Sequence, residues 1–104
     1  MAYRRPIANR AGSCDILEVT EYGRAYAGRA LCEGGGGEPG RTAWLSDGLW
    51  EEFSRWMYTW RAYSDEGRGV HFFGKGAHPL TDSEVRQVED WARRAVTEIR
   101  RAGR

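Results

Sequence analysis

Histidine, cysteine and acidic side chains are the residues of this chain that could catalyse a reaction or bind a metal ion. The two histidines, His71 and His78, lie in one short segment, and Asp65 and Glu66 precede them. A histidine beside a carboxylate or a cysteine can act as acid and base or as a metal ligand. The spacing matches neither an H-E-x-x-H zinc motif nor a nucleophile elbow. We therefore predict that the protein is not an enzyme, and an enzyme or metal protein that uses His71 and His78 is our third hypothesis.

The two cysteines, Cys14 and Cys32, do not form a C-x-x-C pair. The N-terminus is basic and lacks the apolar stretch of a signal peptide. We therefore expect both cysteines to be reduced thiols in the cytoplasm. The alternative is a disulfide, which would stabilise the fold by about 3 kcal/mol in an oxidising compartment. Two cysteines and two histidines at these spacings do not match a structural zinc site, so we predict no metal and no cofactor.

A run of four glycines at 34–37 could suggest a phosphate-binding loop. Such a loop needs a Lys-Ser or Lys-Thr pair where a helix begins. Here Glu38 and Pro39 follow the run, and the glutamates on both sides of it would repel a phosphate. We predict instead that residues 33–40 form a mobile loop.

Arginine is the main cation, with 15 arginines and one lysine, although the net charge is only +1. A net charge near zero gives no strong long-range attraction for nucleic acid. Five arginines near the C-terminus nevertheless form a basic helical face that could contact phosphate or an acidic partner. They are Arg86, Arg93, Arg94, Arg100 and Arg101. A nucleic-acid-associated accessory factor that uses this face is our second hypothesis, and a solvated face with cations near the helix C-terminus is the structural alternative.

Two helices must position many of these residues. Apolar residues with helical spacing predict one helix over 47–63 and a second over 82–102. The second helix starts with a capping box, because Thr81 precedes Glu84 by three positions, and Leu80 and Val85 can pack together as a hydrophobic staple. Three tryptophans lie in the centre of the two apolar faces, so we predict that they are buried: Trp56, Trp60 and Trp91.

We predict four strands, over 14–20, 24–32, 41–45 and 70–73. For 24–32 a helix is the alternative, because alanine and arginine favour helix, although Gly28 would destabilise it. Alternation along the last of these strands places His71 and Phe73 on the face opposite Val70 and Phe72. Residues 1–13 are polar and basic, and we interpret them as a flexible arm, or alternatively a short edge strand, that precedes a single domain over 14–104. The resulting order, β-β-β-α-β-α, predicts an α+β fold with a small, mainly antiparallel sheet of three to four strands and both helices packed on one face.

The aromatic residues of the first helix suggest an interaction surface, because one small sheet face cannot cover all of them. Trp50 and Met57 lie at the edge of the apolar arc, and Tyr58 and Arg61 lie on its polar side. Aromatic residues and arginine are enriched in interface cores. We therefore expect a small non-enzymatic protein, monomeric or homodimeric, that binds another protein through these four residues.

Small free-standing domains often act as inhibitors, immunity proteins or accessory proteins, and a phage or mobile-element inhibitor of a defence complex belongs to this class. We place the protein in this class and expect it to act in the cytoplasm. The chain has no run of 18 apolar residues, so we expect no membrane span.

Overall fold

The computed structural model describes residues 1–33 and 37–102, which contain six strands and two helices. In chain order these are β1 (Ala2–Pro6), β2 (Ser13–Val19), β3 (Arg24–Leu31), β4 (Gly37–Trp44), α1 (Asp47–Thr59), β5 (Arg61–Asp65), β6 (Val70–Lys75) and α2 (Asp82–Arg101). All strand pairs are antiparallel, and the strands form one sheet in the order β4-β3-β2-β1-β6-β5. The α+β fold is confirmed, whereas the predictions of three to four strands and of the order β-β-β-α-β-α are wrong.

The N-terminal segment contains a strand inside the sheet, Ala2–Pro6, and is neither a flexible arm over 1–13 nor an edge strand. In β1, Tyr3 pairs with Leu17 of β2 on one side and with Val70 of β6 on the other. Tyr3 is 3% exposed, while Arg4 and Arg5 remain exposed. A strand with one buried aromatic side chain among polar ones has little hydrophobic signal, yet here it joins the two halves of the sheet.

The first helix ends at Thr59, four residues before the predicted end at residue 63. Trp60 has extended backbone angles, and the chain then pairs with its neighbours, because the Arg61 N–H donates to the His78 carbonyl at 2.8 Å. Arg61 therefore lies in strand β5 and not on a helix. Trp60 and Tyr63 still face the core, which explains why the helical spacing of apolar residues continues past the end of α1.

The β3–β4 connection is shorter than the predicted loop over 33–40. Residues Gly37 to Gly40 belong to β4 and pair with β3 across an irregularity between Ala27 and Arg29. Residues 34–36 of the predicted loop lie outside the described residues.

Both helices pack on one face of the sheet, as the sequence predicts. The core combines the apolar sides of α1 and α2 with alternate strand residues, including Leu17, Ala27 and Phe72. The three tryptophans predicted to be buried are 0–7% exposed. Trp56 stacks on Trp60 with ring centroids 5.1 Å apart, and Phe53 stacks on Trp91 at 5.3 Å.

The start of α2 confirms the predicted capping box. The Thr81 hydroxyl accepts a hydrogen bond from the Glu84 N–H at 3.3 Å, and the Thr81 N–H donates to the Glu84 carboxylate at 2.9 Å. These two bonds satisfy backbone groups that a helix N-terminus leaves without intrahelical partners.

The two cysteines form a disulfide, so the prediction of reduced thiols is wrong. Cys14 lies in β2, and Cys32 directly follows β3, with their Cα atoms 5.1 Å apart. The β2–β3 hairpin brings them together, because Cys14 is in register with Ala30. Disulfides form and persist in oxidising compartments, and the bond therefore counts against the expectation of a cytoplasmic protein.

Candidate protein-binding surface

The sheet face opposite the helices, here called the open face, is the first candidate surface. By strand alternation it carries Arg4, Tyr26, Trp44, His71 and Phe73, whereas their neighbours Tyr3, Ala27, Ala43 and Phe72 face the core. In the described part of the chain no helix packs on this face, since the buried residues of both helices belong to the single core on the other side.

Exposed aromatic side chains are concentrated at one end of the molecule. Of the five large hydrophobic side chains that are exposed in the described residues, four are aromatic. These four lie at the end where β2 turns into β3. These four, here called the aromatic rim, are Tyr22 (75% exposed), Trp44 (67%), Tyr58 (69%) and Phe73 (64%). The fifth, Leu31, lies at the opposite end of β3.

Strand register explains why the rim residues lie at the same end of the molecule. Trp44 pairs with Arg24, and Arg24 accepts a backbone hydrogen bond from Thr20, so both lie beside the 20–24 turn that holds Tyr22. Phe73 lies two residues beyond His71, which pairs with Ala2 at the start of β1. Tyr58 occupies the last turn of α1, which meets the end of β6.

An apolar cleft of about 330 Å³ opens beside Phe73 of the aromatic rim. It is lined mainly by Met1, Val19, Phe53, Met57 and Phe73, with Thr20, Glu21 and Lys75 completing it. An ion pair between Glu21 and Lys75 joins the two sides of this cleft.

The Glu21–Lys75 ion pair shifts the pKa of both side chains. The hydrogen bond with Glu21 raises the pKa of Lys75 above its ordinary value, and Tyr58 and Tyr22 are close enough to contribute to the increase. The same bond lowers the pKa of Glu21. Both groups therefore stay charged at neutral pH and form a polar border around the apolar cleft.

The four predicted partner-binding residues have different environments. Tyr58 and Arg61 are exposed, as expected of contact residues. Met57 is 3% exposed and belongs to the core, although it lines the cleft. Trp50 is half-buried and packs against the core and over Gly23 in the β2–β3 turn. Trp50 therefore packs against the β2–β3 turn and is only partly exposed. The expectation of an exposed edge is wrong for Met57, which is buried.

The basic face of α2 is largely neutralised by nearby carboxylates. Arg94 lies 3.2 Å from a carboxylate oxygen of Glu52 in α1. Arg93 pairs with Asp90, and Arg100 pairs with Asp15 in β2 at 2.5 Å. Three of the five predicted phosphate contacts therefore have intramolecular partners, while Arg86 and Arg101 are exposed.

The two histidines do not form a common site. The His71 Nδ1 atom lies 2.6 Å from the Ser64 hydroxyl on the neighbouring strand. His78 is exposed after β6 and forms an isolated bridge with Trp60. Among the described residues, no group of three or more His, Cys, Asp or Glu side chains is arranged to hold a metal ion.

Sequence reasoning missed three members of the aromatic rim. The strand predicted over 41–45 contains Trp44, but its composition gives no reason for the exposure of the indole. The available signal was the alternation over 70–73, which places Phe73 opposite the buried Phe72. Once both helices are assigned to one sheet face, that alternation leaves Phe73 on the uncovered face.

The comparisons with known proteins give no match: no protein-family model, no curated protein and no solved structure is similar to this chain. No helix in the described residues is long and apolar enough to span a membrane.

Proposed function

We propose that this protein binds another protein through the aromatic rim and acts as an inhibitor, immunity or accessory protein. The observation that carries the proposal is the grouping of Tyr22, Trp44, Tyr58 and Phe73 at one end of the molecule. Scattered exposed apolar side chains are ordinary, whereas grouped ones mark an interaction site. Tryptophan and tyrosine are also the residues that most often carry binding energy at protein interfaces.

The rim has the composition of an interface centre with a polar border. Phe73 lies beside an apolar cleft that a partner side chain can enter. The Glu21–Lys75 pair and the exposed Arg24 lie around it and offer charged contacts. Such borders exclude water from the central anchors and contribute less affinity themselves.

The nucleic-acid hypothesis has less support from the geometry of α2. A phosphate contact by Arg93, Arg94 or Arg100 would compete with Asp90, Glu52 or Asp15, respectively. We expect little affinity for duplex DNA at physiological salt, because binding of this kind depends on the number of free cations that replace counterions.

Affinity capture from the native host tests the proposed function. The bait is the full chain with an affinity tag, and the captured protein is identified and then titrated against the bait. A Tyr22→Ser/Phe73→Ser double variant removes two exposed anchors, and Leu31→Ser is the matched control at the opposite end. Because all three side chains are at least half exposed, both variants should remain folded.

We expect one protein to be retained by the wild type and the Leu31→Ser control and lost by the double variant. The proposal is wrong if the double variant retains that protein with unchanged affinity. It is also wrong if the chain instead binds DNA tightly and loses this binding when Arg93, Arg94, Arg100 and Arg101 are replaced by glutamine.

A further inference from the structure

The ring of Tyr26 lies on the open face, beside two glycines. A Cβ atom on Gly28 would lie 2.6 Å from the Tyr26 hydroxyl oxygen, and a Cβ on Gly40 would lie 2.4 Å from Cζ of the same ring. The ring therefore occupies the space that side chains at both positions would need. Tyr26 is partly exposed, so part of its ring is accessible to a ligand.

Trp44 lies diagonally across from Tyr26 on the neighbouring strand. Tyr26 pairs with Thr42 and Arg24 pairs with Trp44, so these four residues form a square on β3 and β4. The Arg24 guanidinium carbon lies 5.8 Å from the centroid of the Trp44 ring, and Trp44 is still 67% exposed. The packing of Tyr26 against the two glycines explains the position of its ring. It does not explain why a large indole, that of Trp44, is exposed beside it.

The charges around the two rings favour a neutral ligand. Glu18 pairs with Tyr26 on the side away from β4, and Arg24 lies next to Trp44. A carboxylate beside one ring would repel the phosphates of a nucleic acid chain, and a single arginine would only partly offset this repulsion. The Thr42 hydroxyl can hydrogen-bond to a ligand that crosses between the rings.

We propose that Tyr26 and Trp44 bind an extended, proline-containing segment of the protein partner. Proline-rich segments bind to aromatic grooves because their polyproline II conformation is formed in advance and costs little entropy on binding. Alternate residues of such a segment are about 6 Å apart, close to the diagonal spacing of about 7 Å between side chains on neighbouring strands. Two residues of the segment that are separated by one intervening residue can therefore stack on the two rings together.

This inference rests on the proposed protein-binding function but can be tested without the partner. Isotope-labelled full-length protein is titrated with a blocked decaproline peptide, and a glycine-serine decapeptide serves as the matched peptide control. We expect saturable chemical-shift changes at the Trp44 indole and at Tyr26 and Thr42 with decaproline only. Trp44→Ala should weaken binding about tenfold or more, as expected for a central aromatic contact.

Two control variants show whether weaker decaproline binding results from loss of the aromatic ring or from loss of the fold. Trp44→Phe keeps an aromatic ring and should retain part of the affinity, and Leu31→Ala changes an exposed residue at the far end of β3 without effect. The inference is overturned if decaproline causes no saturable change up to about 2 mM, which corresponds to negligible affinity. It is also overturned if Trp44→Ala binds decaproline as well as the wild type.

The remaining outcomes distinguish the inference from the proposed function. A negative decaproline titration together with a host partner that needs Tyr22 and Phe73 overturns only the proline inference. If a single-stranded dT12 oligonucleotide binds instead and is lost in Trp44→Ala, the two rings serve nucleic acid and the proline inference is wrong. Loss of the host partner in Trp44→Ala, together with decaproline binding, supports both proposals.

Discussion

The indole N–H of Trp91 donates a hydrogen bond to the backbone carbonyl of Leu49 at 3.1 Å, which joins the middle of α2 to the first turn of α1. Trp91 is fully buried, and its ring stacks on Phe53 and meets Trp56 edge to face. The bond satisfies the one polar group of this side chain. Trp91 therefore links the two helices through both a polar and an apolar contact.

Trp91→Phe should destabilise the protein by about 2–3 kcal/mol, because it removes this hydrogen bond and leaves a cavity. The same substitution at the exposed Trp44 should change the free energy of unfolding by no more than about 0.5 kcal/mol. Denaturant titration of both variants measures the difference. Equal midpoints for the two variants would show that the bond and the packing of Trp91 contribute little.

Reduction of the Cys14–Cys32 disulfide should lower stability by about 3 kcal/mol, since the bond closes a loop of moderate length in the unfolded chain. For a domain of this size, such a loss corresponds to a melting temperature lower by about 12–24 °C. Thermal unfolding with and without reductant measures the shift. A Cys14→Ala/Cys32→Ala variant is the control, because reductant should leave its melting temperature unchanged. Two reactive thiols in the unreduced, folded protein would contradict the prediction.

The capping box of α2 should become less stabilising at acidic pH. The hydrogen bond from the Thr81 backbone N–H lowers the pKa of Glu84 below its ordinary value of 4.5, and a hydrogen bond with the Thr81 side chain lowers it further. A carboxyl group whose pKa is lower in the folded than in the unfolded protein stabilises the fold fully at a pH above its unfolded-state pKa. This stabilisation is lost as the pH falls through the folded-state pKa. Glu84→Ala should therefore destabilise the protein more at pH 7 than at pH 3.

Two further variants test the capping box at constant pH. Thr81→Ala should cost about 1 kcal/mol, the usual effect of losing an N-cap side chain. Ser83→Ala is the control within the same turn and should be close to neutral. The same destabilisation by Glu84→Ala at pH 7 and pH 3 would show that the charge of the carboxylate does not contribute.

The parts of the fold that could be predicted are those with a strong local pattern. The apolar face of α2, its capping box and the burial of Trp56 and Trp91 follow from residue spacing alone. The strands near Ser13–Val19 and Arg24–Leu31 could also be identified, because β-branched and apolar residues bounded by turns are a local signal.

The predictions that were wrong concern features that depend on contacts between residues distant in sequence. Strand β1 has only Tyr3 facing the core, so its place in the sheet depends on β2 and β6. The disulfide forms because the β2–β3 hairpin aligns Cys14 with the end of β3, which its spacing of 18 positions does not reveal. The candidate surface could not be predicted from local sequence either, because the exposure of Trp44 and Phe73 depends on the helices covering the other sheet face.

The β2–β3 turn that carries Tyr22 should be sensitive to any side chain at position 23. Gly23 has a φ of +89°, a region that other residues rarely adopt, and a Cβ there would lie 2.9 Å from Cε3 of Trp50. Gly12 is a matched control, since its φ is +80° and nothing lies within 4 Å of its Cβ position. The two glycines thus share the backbone strain and differ in the contact with Trp50.

We expect Gly12→Ala to cost about 1–2 kcal/mol, from the left-handed backbone alone. Gly23→Ala should cost about 1–3 kcal/mol more, because the added methyl group overlaps a ring that is itself packed against the core. Denaturant titration of Gly23→Ala, Trp50→Ala and the double variant measures the coupling between the two sites. If Trp50 is the obstacle, Gly23→Ala should cost no more than Gly12→Ala once Trp50 is alanine. An unchanged cost in the double variant would show that backbone strain, and not the tryptophan, makes glycine necessary at this turn.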